Sequence, residues 1–166
     1  MKKAIFVLFL LSIIATSFNK SDNYIIPDSA IRFRVVANSN SIDDQLQKAI
    51  VKEKLSNELK TIIKNSDSIQ GAREIINNNI SKIEKIVSQE AKDYNINYGL
   101  NYFPKKEYKN VIYPAGNYES LVITIGKGLG NNWWCVLYPP LCFIEEENKS
   151  NDYALYVKEL FNKFNF

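Results

Sequence analysis

The chain has 166 residues, with 21 lysines and arginines against 18 aspartates and glutamates, a net charge of +3, two cysteines and no histidine. So near a balance of charge gives no electrostatic footprint for nucleic acid or an anionic membrane surface. Without an imidazole, Ser-His-Asp and Cys-His catalysis and histidine-containing zinc sites are excluded, and two cysteines cannot complete a four-ligand structural zinc site.

Met1-Lys2-Lys3 precedes an apolar run, Ala4 to Ala15, which then turns polar. That is the layout of a secretory signal peptide, and the run is shorter than the roughly 20 residues a membrane-spanning helix needs. Residues 1–17 are therefore expected to be a signal peptide cut after Ser17, with a retained N-terminal anchor as the alternative. The mature protein is expected to be secreted, with residues 18–30 a flexible lead-in and 31–166 a single domain.

Ile31 to Val36 alternates as a strand, with Ile31, Phe33 and Val35 on one face and Arg32, Arg34 and Val36 on the other. Asn38-Ser39-Asn40-Ser41 is a polar turn, and Ser41-x-x-Asp44 is a helix start. From Asp43 to about Lys64, Leu46, Ile50, Leu55, Leu59, Ile62 and Ile63 recur at helical spacing. Asp67 or Ser68 caps a second helix with the stripe Ile69, Ala72, Ile76, Ile80, Ile83 and Val87. Both stripes are expected to face the core. After Asp93 the period becomes two: strands are expected through Tyr102, from Lys109 to Tyr113, and from Glu119 to Ile125, joined as an antiparallel meander. Tyr153, Tyr156, Val157, Leu160, Phe161 and Phe164 form one face of a C-terminal helix. The fold class is α+β: two amphipathic helices packed on a mostly antiparallel sheet, with a short C-terminal helix.

The glycines Gly126, Gly128 and Gly130 fit neither nucleotide-binding pattern and lead into a β-prone segment, so they are assigned to a tight loop. Glu145-Glu146-Glu147 lacks the second, distant carboxylate that glycoside hydrolysis needs and is expected to be a solvated face. Cys135 and Cys142 flank Tyr138-Pro139-Pro140, and in an exported protein they favour a disulfide clamp, with two free buried thiols as the alternative. Trp133 and Trp134 are adjacent, so on a strand they point to opposite faces; one can be core while the other joins Tyr138, Pro139 and Pro140 in an exposed apolar patch. The alternative is that both indoles are covered by this chain's own helices.

"IRFRVVANSNS" (Ile31 to Ser41), "YPAGNYESL" (Tyr113 to Leu121) and "GKGLGNNWWCVLYPPLCFIE" (Gly126 to Glu145) resemble the stage II sporulation protein R family of endospore-forming bacteria. The resemblance implies a signalling protein made in the forespore and exported into the intermembrane space. There it would activate a membrane-embedded aspartic protease of the mother cell, which processes a sigma factor precursor. Such a role implies no catalytic residue, cofactor or metal. The expected contact with the protease's extracytoplasmic face is the loop carrying Trp133, Trp134, Tyr138, Pro139, Pro140 and Phe143, with the Asn38-Ser39 turn. Where relatives often have histidine before the tryptophan pair, this chain has Asn132. Two rival readings stay open: a secreted carbohydrate- or peptidoglycan-binding module stacking sugars on exposed aromatic rings, and a hydrolase using Glu119 or Glu145.

Overall fold

The computed structural model describes residues 23–64, 66–143 and 153–166; the expected signal peptide and the Glu145–Glu147 run lie outside them. The fold is α+β. Strand β1 (Tyr24–Ile25) is followed by β2 (Ile31–Val36), and then by helices α1 (Ile42–Ile63), α2 (Ile69–Asn78) and α3 (Ile80–Glu90). Strands β3 (Tyr94–Phe103), β4 (Lys106–Tyr108), β5 (Val111–Tyr113), β6 (Gly116–Ile125) and β7 (Asn132–Tyr138) follow, and α4 (Tyr153–Lys163) closes the chain.

The main sheet has the order β3-β6-β2-β7. Its central pair, β2 and β6, runs parallel, while β6–β3 and β2–β7 are antiparallel. A parallel pair needs a long crossover, and here the chain from α1 through β5 supplies it. The expected meander is thus corrected. β3 pairs with β6 along ten residues, and Val111–Tyr113 leaves that sheet to form a second one, β1-β5-β4. Lys109 and Asn110, expected in a strand, have φ of 47° and 63° and make the tight β4–β5 turn, the twist that two-residue hairpins prefer.

Ser41 caps α1 by accepting a hydrogen bond from the Asp44 amide at 3.2 Å, and Ser68 caps α2 from the Gly71 amide at 3.0 Å. The second helix is two. Asn79 ends α2 and begins α3, and its side chain donates to the Ile75 carbonyl at 2.8 Å. Three successive asparagines, Asn77 to Asn79, offer the backbone alternative partners, which is how such residues interrupt a helix. The apolar stripe survives the break because Ala72, Ile76, Ile83 and Val87 all reach one core.

That core fills the helical face of the main sheet, with Phe33, Val35, Leu121, Ile123 and Leu137 meeting Val51, Leu55 and Leu59 of α1. Leu46 and Ile50 do not join it. With Ile42 they lie on the outer side of α1, at 56%, 45% and 79% exposure, because the buried residues of that helix are Val51, Leu55, Leu59 and Ile63. A second core covers the opposite face of the sheet, where Val136, Val111, Ala30 and Ile26 pack against Ala154, Val157 and Phe161 of α4. Part of the expected lead-in is therefore built into the domain: Tyr24–Ile25 is a strand, and Ile26 and Ala30 are buried.

Candidate functional site

β7 carries the sequence's densest motif. Alternation sends Trp133 and Trp134 to opposite faces. Trp133 faces the helices, edge-on to Phe33 at 5.7 Å between ring centres, with Lys52 Nζ 5.1 Å from its ring. Trp134 turns to the second core, edge-on to Phe103 at 5.5 Å and to Tyr113 at 5.2 Å. Both indoles are half-buried, and each packs on its own core.

Cys135 and Cys142 are joined by a disulfide with 5.5 Å between Cα atoms, inside the usual bridging range. The bond draws the turn Leu141–Phe143 back against the middle of β7. The exposed patch expected around it is corrected. Tyr138 and Pro139 are buried, because Tyr138 pairs with Ile31 and its ring meets Phe164 at 5.2 Å and Phe166 at 6.0 Å. Pro140 and Phe143 are half-buried.

Arg32 is not among the expected site residues, yet it organises this end of the molecule. It is fully buried, with its guanidinium carbon 3.3 Å from the centre of the Tyr118 ring, 5.1 Å from Phe103, 5.3 Å from Trp134 and 6.0 Å from Tyr113. None of its three side-chain nitrogens has a hydrogen-bond partner among the described residues. Burial pulls its pKa below the ordinary value, opposed first by Tyr118 and more weakly by Tyr113 and Asp28. The burial of Arg32 is not legible in the sequence, because Ser120, Val122 and Val136 share its face through strand pairings that only the fold supplies.

Outside this cage lies a cleft of about 190 Å³ lined by Lys106, Tyr108, Tyr113, Trp134, Leu141 and Tyr153. The hydroxyls of Tyr113 and Tyr153 are 3.4 Å apart, and Tyr108 and Tyr153 pack edge-on at 5.4 Å. Lys106 Nζ lies 5.2 Å from the Trp134 ring centre. Burial, reinforced by Tyr153, raises the Tyr113 pKa above its ordinary value.

The Asn38-Ser39 turn is elsewhere. It adjoins the Asn132 end of β7, which at about 3.3 Å per residue lies roughly 10 Å from Cys135 and roughly 20 Å from Tyr138. Its polar groups are used internally. Asn38 Oδ1 accepts from the Lys127 amide at 2.9 Å, Asn38 Nδ2 donates to Asp44 at 3.0 Å, and the Leu129 and Gly130 amides donate to the Asn38 and Ala37 carbonyls. The turn and the glycine loop are thus one clasp. A Cβ on Gly130 would lie 2.2 Å from the Ser39 carbonyl oxygen, so only glycine permits that approach.

Glu119, considered as a catalytic carboxylate, is held by Arg73 Nε at 2.9 Å and Nη2 at 2.8 Å and accepts from the Tyr98 hydroxyl at 2.6 Å. It ties α2 to the sheet. Among the described residues no group of three histidine, cysteine, aspartate or glutamate side chains could hold a metal ion, and no helix is long and apolar enough to cross a membrane.

The class so defined is an α+β protein in which a disulfide-clamped loop borders an aromatic cleft backed by a buried arginine. The chain belongs to the stage II sporulation protein R family, whose sequence model matches residues 27–148. It is similar to Stage II sporulation protein R of Bacillus subtilis (strain 168), 41% identical over 137 residues that cover 78% of this chain and 61% of that relative. No solved structure matches it. The chain is accordingly a stage II sporulation protein by family.

Proposed function

We propose that this chain is exported from the forespore and activates a membrane-embedded aspartic protease of the mother cell from its extracytoplasmic side, so that a sigma factor precursor is cleaved. The family match over residues 27–148, which includes the Trp-Trp-Cys and Pro-Pro-Leu-Cys segments, carries this reading. Two further features support it. The Cys135–Cys142 bridge suits an oxidising compartment outside the cytosol. Glu119, the carboxylate weighed for hydrolysis, is committed to Arg73 and Tyr98.

Binding would activate the protease only through a higher affinity for its active state. The test is expression of this chain in a sporulating host that lacks its own copy, with immunoblotting for the sigma factor precursor. Restored cleavage is expected; uncleaved precursor in cells that export the chain normally would overturn the reading.

A further inference from the structure

We propose that the cleft beside the disulfide is a carboxylate-binding site, and that it takes an acidic side chain with an apolar neighbour from an extracytoplasmic loop of the protein partner. The identity of that partner rests on the function proposed above; the chemistry of the cleft does not.

Two cations lie over one indole. Lys106 Nζ is 5.2 Å and the Arg32 guanidinium carbon 5.3 Å from the Trp134 ring centre. Lys106 forms no ion pair among the described residues, and Arg32 makes no hydrogen bond there. Ring quadrupoles ease a buried cation but do not neutralise it. Lys106 is exposed at the cleft and the Arg32 guanidinium lies buried behind Trp134, so the lining favours an anion over a cation. Asp28 is exposed and is the weakest of the groups that favour the Arg32 charge. Glu107 follows Lys106 on the same strand, so alternation turns it away from the lysine's side.

The remaining lining adds what a specific site needs. Tyr113 contributes a hydroxyl donor, and Leu141, Tyr108 and Trp134 present apolar surface for a neighbouring side chain. The volume, about 190 Å³, is that of roughly six waters and admits one acidic side chain with part of its neighbour. The Cys135–Cys142 bond fixes the wall bearing Leu141, so little ordering is left to do on binding. Sugar stacking fits less well, since both cations and the edges of Phe103 and Tyr113 already crowd the Trp134 ring.

The experiment follows the indole N–H resonances of the ¹⁵N-labelled chain while it is titrated with acetyl-Gly-Leu-Asp-Leu-Gly-amide or the same peptide with asparagine for aspartate. The two indole signals are assigned with Trp133→Phe. The aspartate peptide is expected to move the Trp134 signal and not that of Trp133, with the asparagine peptide binding about tenfold more weakly. Lys106→Gln is expected to weaken the aspartate peptide by about tenfold without changing the thermal midpoint. Equal response to both peptides, no response to either, or a Trp134 shift produced by chitotetraose instead would overturn the proposal. If the aspartate peptide binds as expected while the chain fails to restore precursor cleavage, the cleft stands and the protease reading falls. If both peptides are silent while cleavage is restored, the protease reading stands and the carboxylate site falls.

Discussion

A guanidinium buried without hydrogen bonds is costly, and at Arg32 four aromatic rings offset part of that cost through cation–π attraction of up to about 2 kcal/mol per desolvated contact. The side chain also fills the volume on which Trp134, Phe103, Tyr113 and Tyr118 are arranged. Arg32→Ala is expected to lower unfolding free energy by about 3 kcal/mol in urea titration, in line with cavity-forming substitutions. Arg32→Met, which keeps volume and removes the charge, is expected to stay within about 1 kcal/mol of the parent. Equal losses in the two variants would mean that the charge, and not the filling, holds the cage. At the opposite end, Gly130→Ala is expected to cost about 2 kcal/mol or more, since its methyl group meets backbone that cannot move without opening the clasp. Asp44 adds a pH dependence. Hydrogen bonds from Ser39 first, then Asn38 and Ser41, hold its pKa below the ordinary 3.8. A carboxyl depressed on folding contributes stability above its unfolded pKa and loses it as pH falls through the folded one. The gap in melting temperature between the parent and Asp44→Asn is therefore expected at pH 7 and should close as pH falls below 3.8; a gap that persists at pH 2 would contradict it.

Among the elements, those with local signals are the ones legible in the sequence. Ser41 and Ser68 mark both helix starts, since a cap is decided by residues three apart. The break at Asn79 is hidden because α2 and α3 keep one apolar spacing across it, so periodicity alone reads a single helix. The strand order is not legible either. That β6 lies beside β2 follows from the helical crossover and not from the residues of either strand. The disulfide is legible from compartment and cysteine count, with free thiols as the rival, and its small loop sets its size. Closing it is worth about 2.5 kcal/mol by loop entropy, so Cys135→Ser with Cys142→Ser is expected to lose roughly that amount in urea unfolding while keeping the far-ultraviolet spectrum. A double variant that fails to fold would assign the bond a larger role. The stripe Ile42, Leu46 and Ile50 is exposed in spite of its helical spacing, since amphipathic pattern tells which residues share a face but not which of two faces the sheet covers.

At the scale of the whole molecule, one sheet separates two cores, and the site grows from the one the sequence does not announce. Trp134 and the cysteines are legible as a motif. Lys106, Tyr108, Tyr113 and Tyr153 are not, because they come from the β4–β5 hairpin and α4 and meet only once the second sheet folds over Arg32. Tyr138 and Pro139, expected at the surface, are instead the point where the C-terminal Phe164 and Phe166 close on the helical core. The proposed role requires that the assembled cleft face the space between the two membranes, and compartment is what separates it from any cytosolic role for the same fold. The most direct measurement is cleavage of the sigma factor precursor in a sporulating host lacking its own copy, comparing the 166-residue chain with one from which residues 2–17 have been removed. Cleavage is expected with the first and none with the second at equal protein levels; cleavage driven equally well by the chain retained in the cytosol would contradict export as the basis of its action.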